Sequence, residues 1–519
     1  MYRRWRPMND ATTLRIALEL DPRDWTLTLR VNSALCGQER LGPIALPFSA
    51  ADLSIIERAL DLNDDSGLKR AFAVPDLERL HAWGLLLRPT VEHAGAPLSG
   101  QSIRRDRLRD QVRTWLAGLL LDPLAQQLNQ HFAVQRERTG GQRPLLYLRL
   151  EGWPADLPLW RLPWELLHRH RLAQGDIQVG RYILYGNAPG LPPPASGLRL
   201  LVLHSDPADA ALPRLHLKDR ERIDEGLQGT PGASRIQVQT LAPASLTAFQ
   251  EALRADPARP TIVHFAGHGD FGWRCGRCGR ISVAPDDRPC GDPDCGFERH
   301  GPPAGLLAFT DPRTGAADWV GIDGVCEALG LARDLRLVVL SACQSATARG
   351  GTDVFNGIAQ RLMDLVPAVI ATPYPLESGA AEEFARCLYR ALGEGLSLVE
   401  CLHQVRLLMA ERFPDEWYRP VLYLRASQGD GGRLLDLPAR ADRVPGHDTH
   451  PVVAAPDPRR EALARALAQL VPQYQAALSQ SVTTSDAVAA VQAGQRAEEI
   501  ERTMAQLRQK IDRLAGRAA

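Results

Sequence analysis

The chain has 519 residues, of which 45% are hydrophobic and 24% charged; it is too long for one ordinary core and can bury a large one. Its 61 basic side chains balance 61 acidic ones, which excludes a global field that would draw the protein to nucleic acid or to an anionic membrane. The longest apolar runs, such as Leu116 to Leu121 and Val366 to Ala371, fall far short of the roughly 20 residues of a spanning helix, so no membrane segment is expected.

No apolar stretch follows the basic residues of the N-terminal MYRRWRPMNDATT, so it does not read as a secretory signal, and a cytoplasmic protein is expected. Apolar and polar residues alternate from Leu14 to Leu20 and from Trp25 to Val31. Asp21-Pro22-Arg23-Asp24 lies between them, and the pattern predicts a β-hairpin. A helix is expected over about Ala50 to Leu62, a strand-like piece over Trp83 to Leu87, and one long helix from about Ile103 to Phe132. Residues 1–100 thus read as a small α+β module of unassigned role, and residues 101–144 as a connecting helical segment.

From residue 145 to 426 the pattern changes. Apolar runs of strand length, Leu198 to His204, Arg235 to Leu241, Thr261 to Ala266, Leu335 to Ser341, Pro367 to Thr372 and Val421 to Leu424, alternate with amphipathic helical stretches. Such alternation implies a mostly parallel sheet with helices on both faces. Ser397 with Glu400 forms a capping box, and Ser245 precedes Leu246 and Phe249 as a second helix start. Prolines with scattered charge mark residues 427–458 as a linker. Residues 459–519 read as a helical tail, in which Ala493, Ala497, Ile500, Met504, Leu507, Ile511 and Leu514 share one stripe. That stripe packs either on its own domain or on an activating partner or second copy. No repeat of 20 to 50 residues is visible.

Two of the expected strands end in unusual residues. One runs into Gly267-His268-Gly269-Asp270, the other into Ala342-Cys343-Gln344-Ser345. In an open parallel sheet, chemistry gathers beyond the carboxyl ends of the strands, so a His and a Cys leaving neighbouring strands there can meet. A thiol needs such a neighbour, because a nearby imidazole raises its thiolate fraction and later protonates a leaving amine. Gly267 and Gly269 free the loop of side-chain bulk, and the amides of Gly269 and Cys343 are candidate donors to an oxyanion. Taken singly, a Cys at a strand end is usually inert and a His beside Gly is usually a loop residue; the ordered pair gives the pattern its meaning.

Directly after the His268 loop come Cys275, Cys278, Cys290 and Cys295, spaced C-x2-C, eleven residues, C-x4-C, with glycines in the knuckles. Four thiolates in so short a span suit a tetrahedral structural zinc, and a cytoplasmic chain disfavours the competing reading of two disulfides. With every position filled by thiolate the metal is not catalytic. The other cysteines, Cys36, Cys326, Cys343, Cys387 and Cys401, are scattered. Arg274, Arg277, Arg280 and Arg288 lack an interleaved aromatic series, so nucleic-acid binding is not expected.

The strand IVHFA running into His268-Gly269, and Cys343 within VVLSACQSA, resemble the active-site blocks of the CHAT family, a branch of the caspase and separase clan of cysteine peptidases. Leu162-Pro163-Trp164-Glu165-Leu166-Leu167 resembles the LPWELL block near the start of such domains. Val366 to Ala371 with Tyr374-Pro375 resembles the strand after the catalytic Cys, and Trp417 to Leu424 the closing strand. The blocks span residues 145–426. The resemblance implies a caspase-like α/β sandwich with a mostly parallel central sheet and flanking helices; the zinc ribbon read from the cysteine spacing is then an insertion between His268 and Cys343, and the N-terminal α+β module and helical tail flank the domain. It also implies His268 as general base and acid, Cys343 as nucleophile and His264 as structural. Asp270 and Asp353 are acidic residues near the catalytic loops; each reads more readily as an ordinary loop carboxylate than as part of a specificity pocket. The function so implied is an endopeptidase acting on a protein substrate, a regulated effector in a conflict, antiphage or programmed-death system. Heavy use of Arg, Ala, Leu and Pro suits a GC-rich bacterium. The alternative is a catalytically silent caspase-like scaffold that binds protein partners.

Overall fold

The computed structural model describes residues 13–33, 35–61, 72–87, 102–103, 105–138, 144–152, 162–170, 172, 175–183, 190–209, 212, 214–215, 217–255, 259–282, 290, 292, 294–296, 304–342, 359, 361–372, 376–425 and 431–437, with 492, 495, 496, 499 and 503 beyond. Residues 1–437 form one compact unit and residues 438–519 a second.

The N-terminal hairpin pairs β1 (Thr13–Asp21) with β2 (Thr26–Ser33), Ile16 opposite Val31 and Leu18 opposite Leu29, all four buried. A third strand, β3 (Gly37–Ala45), adds to it; its pattern of exposed charges is that of an edge. Helices α1 (Ala50–Asp61) and α2 (Val74–Ala82) follow, and of the expected strand at 83–87 only the two-residue β4 (Leu86–Leu87) forms, paired with β5 (Ser102–Ile103). The long helix expected over 103–132 is two, α3 (Arg105–Leu120) and α4 (Ala125–Arg138). Pro123 has no amide to continue the helix, and the amides of Leu121 and Asp122 instead both close on the carbonyl of Ala117.

Then come β6 (Leu145–Gly152), a 3-10 turn over Trp164–Arg169, β7 (Asp176–Ile183), β8 (Leu198–Ser205), α5 (Asp219–Leu227), β9 (Ile236–Leu241), α6 (Leu246–Arg254) and β10 (Ile262–Gly267). They are followed by β11 (Gly269–Arg274), β12 (Ile281–Ser282), β13 (Ala304–Thr310), β14 (Ala317–Gly321), α7 (Ile322–Leu329), β15 (Leu337–Ala342), β16 (Ala368–Ala371), α8 (Ser378–Gly393), α9 (Leu398–Arg412) and β17 (Val421–Leu424). The expected helix starts are present: Ser245 accepts from the amide of Ala248, and Ser397 and Glu400 make a reciprocal capping box.

Eleven of these strands form one sheet in the order β3-β2-β1-β6-β7-β17-β16-β15-β10-β8-β9. It is parallel from β1 to β9 apart from the antiparallel β16–β17 pair. Alternate residues divide between two cores. Ile262, Leu337, Val339 and Ile370 pack with α8 and α9 on one face; Val263, Phe265, Val338 and Leu340 pack with α6 and α7 on the other. Helices therefore cover both faces of the mostly parallel sheet.

Two packing features bear on the expected domain boundaries. Parallel pairing of β1 with β6 makes the N-terminal strands a continuation of the large sheet, not a module beside it. Residues 431–437, inside the span expected as linker, are packed: Leu434 and Leu435 are buried, and Leu435 bridges to Ala195. The tail stripe from Ala493 to Leu514 lies outside the described residues, while Gln492, Gln495, Arg496, Glu499 and Thr503 are helical and exposed. No described helix is long and apolar enough to cross a membrane.

Candidate active site

β10 is buried at every residue because it lies between β8 and β15, so its apolar run serves both faces at once. Its parallel register with β15 runs from Ile262 opposite Leu337 to Gly267 opposite Ala342. The next residues in the chain are His268 and Cys343. His268 is fully buried. Cys343 lies outside the described residues, as do Asp353, Tyr374, Pro375 and Arg288.

The peptide of His268 is held through its carbonyl. Its carbonyl accepts from the amide of Ala308 at 3.0 Å, and the carbonyl of Ala308 accepts from the Ser205 hydroxyl at 2.6 Å. Gly267 permits this closeness, since a Cβ there would meet the Ser205 carbonyl at 2.7 Å. The Ala308–His268 bond also makes Gly269 and Leu307 a non-hydrogen-bonded pair of the β11–β13 ladder, which turns the Gly269 amide away from β13. Asp270 is half-buried opposite Leu306 in the same ladder.

His264 is held within the fold. Its Nδ1 lies 3.0 Å from the Tyr389 hydroxyl and its Nε2 3.3 Å from the Asp219 carboxylate, and both rings are fully buried. Neighbouring His204 is pulled below the usual imidazole range by burial, against the pull of Asp219. Burial likewise pushes up the thiols of Cys326, to about 11, and Cys387, to about 12, and raises Cys401 well above the ordinary value. These three stay protonated at neutral pH and are poor nucleophiles.

Sequence patterning did not indicate a buried charge cluster below the sheet. Within the LPWELL block Glu165 is fully buried, and Arg181 of β7 donates to both its oxygens, at 3.1 and 2.8 Å, and to the Leu162 carbonyl at 2.9 Å. Arg406 of α9 is also fully buried and donates to the Pro420 carbonyl at 2.7 Å. Burial pulls its guanidinium down to about 10, with Glu165 opposing and Arg181 adding to the effect. Trp164, equally buried, packs in the same core.

The four cysteines converge. The Sγ atoms of Cys275, Cys278, Cys290 and Cys295 all lie within 4.8 Å of one another, with Cys275 to Cys295 at 3.7 Å and Cys278 to Cys290 at 3.4 Å. Four sulfurs around a zinc at the usual bond length stand about 3.8 Å apart, so this donor set fits the ion. The first knuckle is closed by the Cys275 amide on the Arg280 carbonyl and the Gly279 amide on the Cys275 carbonyl, with Gly279 at φ +75°. The amide of Cys278 pulls the Cys275 thiol toward thiolate, against partial desolvation. β11 joins this knot to His268, and β12, β11, β13 and β14 form a separate small sheet around it.

The CHAT domain family matches residues 110–451, more than half of the chain. The chain belongs to the CHAT family. Its CHAT domain begins within α3, ahead of the span outlined by the sequence blocks, and takes in the packed residues 431–437. No curated protein matches the chain at a significant level. Among solved structures, it is similar to a secreted C11 cysteine protease from Bacteroides thetaiotaomicron (14% identity, 42% of this chain and 60% of that one, TM-score 0.27). It is also similar to the separase–securin complex of Saccharomyces cerevisiae (12%, 80% and 30%, 0.36) and to the Arg-specific cysteine proteinase gingipain R (12%, 64% and 75%, 0.35). The CHAT chain thus spans well under two thirds of the separase and 60% of the C11 protease. At TM-scores below 0.5 these likenesses carry no weight for function.

Proposed function

We propose that this CHAT protein is a cysteine endopeptidase that cleaves a protein partner, with Cys343 as nucleophile and His268 as its proton partner. The observation that carries the reading is the register of β10 and β15, which ends one residue before each of the two. In the proposed reaction His268 takes the thiol proton and the Cys343 sulfur attacks the peptide carbonyl carbon. The amides of Gly269 and Cys343 are the proposed donors to the oxyanion, and the turn of the Gly269 amide away from β13 supports that role. His268 returns the proton to the leaving amine as the C–N bond breaks, and water then hydrolyses the thioester to restore the thiol. The family resemblance supports a regulated effector of bacterial conflict, antiphage or programmed-death systems. A cytoplasmic setting is part of the proposal, because the paired cysteine knuckles there bind metal in preference to forming disulfides.

Cys343→Ala and His268→Ala are each expected to lower cleavage by about 10³-fold or more with the fold retained, and the double variant to lose little further, because the two act as a unit. Cys326→Ala, Cys387→Ala and His264→Gln should keep part of the activity. Cleavage that persists in Cys343→Ser, or after alkylation of Cys343, defeats this reading in favour of the scaffold.

The second part of the proposal concerns zinc. Cys275, Cys278, Cys290 and Cys295 would hold it as four thiolates, a closed set that supplies folding energy and no reactive position.

A further inference from the structure

Ser205 ends β8 directly opposite Gly267, with its side chain fully buried. Its hydroxyl donates to the carbonyl of Ala308, and the amide of Ala308 donates to the carbonyl of His268. Ala308 is itself fully buried in β13, the strand that also pairs with β11 behind His268. A single residue of the small sheet is therefore bonded on one side to the large sheet and on the other to the candidate proton carrier. A hydroxyl in so closed a place is fixed by its partner, since a buried polar group left unpaired is unfavourable.

We infer that Ser205 is a positioning residue: acting through Ala308, it sets where the main chain of His268 stands relative to the end of β15, and hence how the imidazole meets Cys343. The inference rests on the peptidase reading above. Ser205 touches neither substrate nor thiol, and its effect is geometric. A misplacement of about 1 Å at a reacting group can cost on the order of 10²-fold in rate. The Thr310 amide, bonded at 2.8 Å to the carbonyl of Ala244 in the loop between β9 and α6, holds β13 independently, and the Ala244 amide is in turn bonded to the His204 carbonyl of β8, so loss of the hydroxyl should loosen the clamp without releasing β13.

The test follows the rate at which a peptidyl vinyl sulfone labels Cys343 in the full chain, read by mass spectrometry from pH 5 to 9. His268→Ala should slow labelling at neutral pH and leave a profile that rises only with thiol ionisation. Ser205→Ala should slow it about 10-fold to 100-fold and displace the pH profile, with the melting temperature little changed. Ser205→Cys, of similar shape but a weak donor, should also be slow, and Ser205→Thr, which keeps the hydroxyl, should recover most of the rate. Wild-type labelling in Ser205→Ala or Ser205→Cys beside a slow His268→Ala overturns the positioning role and leaves the peptidase reading standing. Equal slowing in Ser205→Ala and Ser205→Thr also overturns it, since packing and not the hydroxyl is then responsible. An unslowed His268→Ala removes the peptidase reading and this inference together.

Discussion

Glu165 is the residue whose role was least legible in advance. A glutamate between Trp164 and Leu166 reads as one letter of a family block, yet it is the anion that lets two buried arginines, Arg181 and Arg406, stand inside the protein. Without it Arg181 loses the carboxylate to which it donates and Arg406 loses the charge that opposes its burial, and leaving a buried charge uncompensated costs roughly 3–5 kcal/mol. Glu165→Gln, which keeps the shape and loses the charge, is expected to destabilise the protein by about that much in urea unfolding. A change below about 1 kcal/mol would mean that the carbonyls of Leu162 and Pro420 suffice for the two guanidiniums. The same cluster explains why β7 is hard to see in the sequence. Its buried positions include Gln178, which donates to the neighbouring Val179 carbonyl, and Arg181, whose partner Glu165 lies outside the strand, so the apolar alternation that marks a strand is broken by polar side chains.

Among the elements, the small sheet of β11 to β14 changes how the cysteine knot is understood. Spacing alone indicates a ribbon confined to residues 275–295, whereas the antiparallel strands around it run from Gly269 to Gly321 and end at the peptide of His268. If zinc binds the four thiolates, purified protein should carry about one equivalent. Chelation or Cys278→Ser should lower the melting temperature and speed amide exchange over residues 269–282, because metal binding there is part of the folding free energy. Exchange in β10 and β15 should change far less, since their core forms without the knot. Zinc-free protein with an unaltered melting temperature would sink the idea.

At the scale of the whole molecule, the N-terminal hairpin belongs to the central sheet. Leu14, Ile16, Leu18, Leu27, Leu29 and Val31 are all at most 4% exposed, and burying six such side chains is worth on the order of 10 kcal/mol, comparable to the entire stability of a domain. Deleting residues 1–100 would also bare the edge of β6. The truncated chain is therefore expected to be insoluble or to lose cooperative unfolding, as read by circular dichroism on heating. A soluble truncation with a sharp transition would restore the view of a separable module.

The sequence by itself determined what depends on neighbours in the chain. The β1–β2 hairpin, the strands β8, β9, β10, β15, β16 and β17, the caps at Ser245 and Ser397, and the cysteine spacing are all local patterns of polarity and turn chemistry, and each is present. It also named His268 and Cys343 as a pair, because each follows an apolar strand. Only the tertiary structure decided the rest. That β10 and β15 are adjacent and in matching register, that β1 extends the same sheet, that Arg181 finds Glu165, and that Ser205 reaches His268 through Ala308 are facts of packing. Hydrogen-bond partners 16 or 103 residues apart leave no periodic trace, since each satisfies a polar group that looks misplaced until its partner is known.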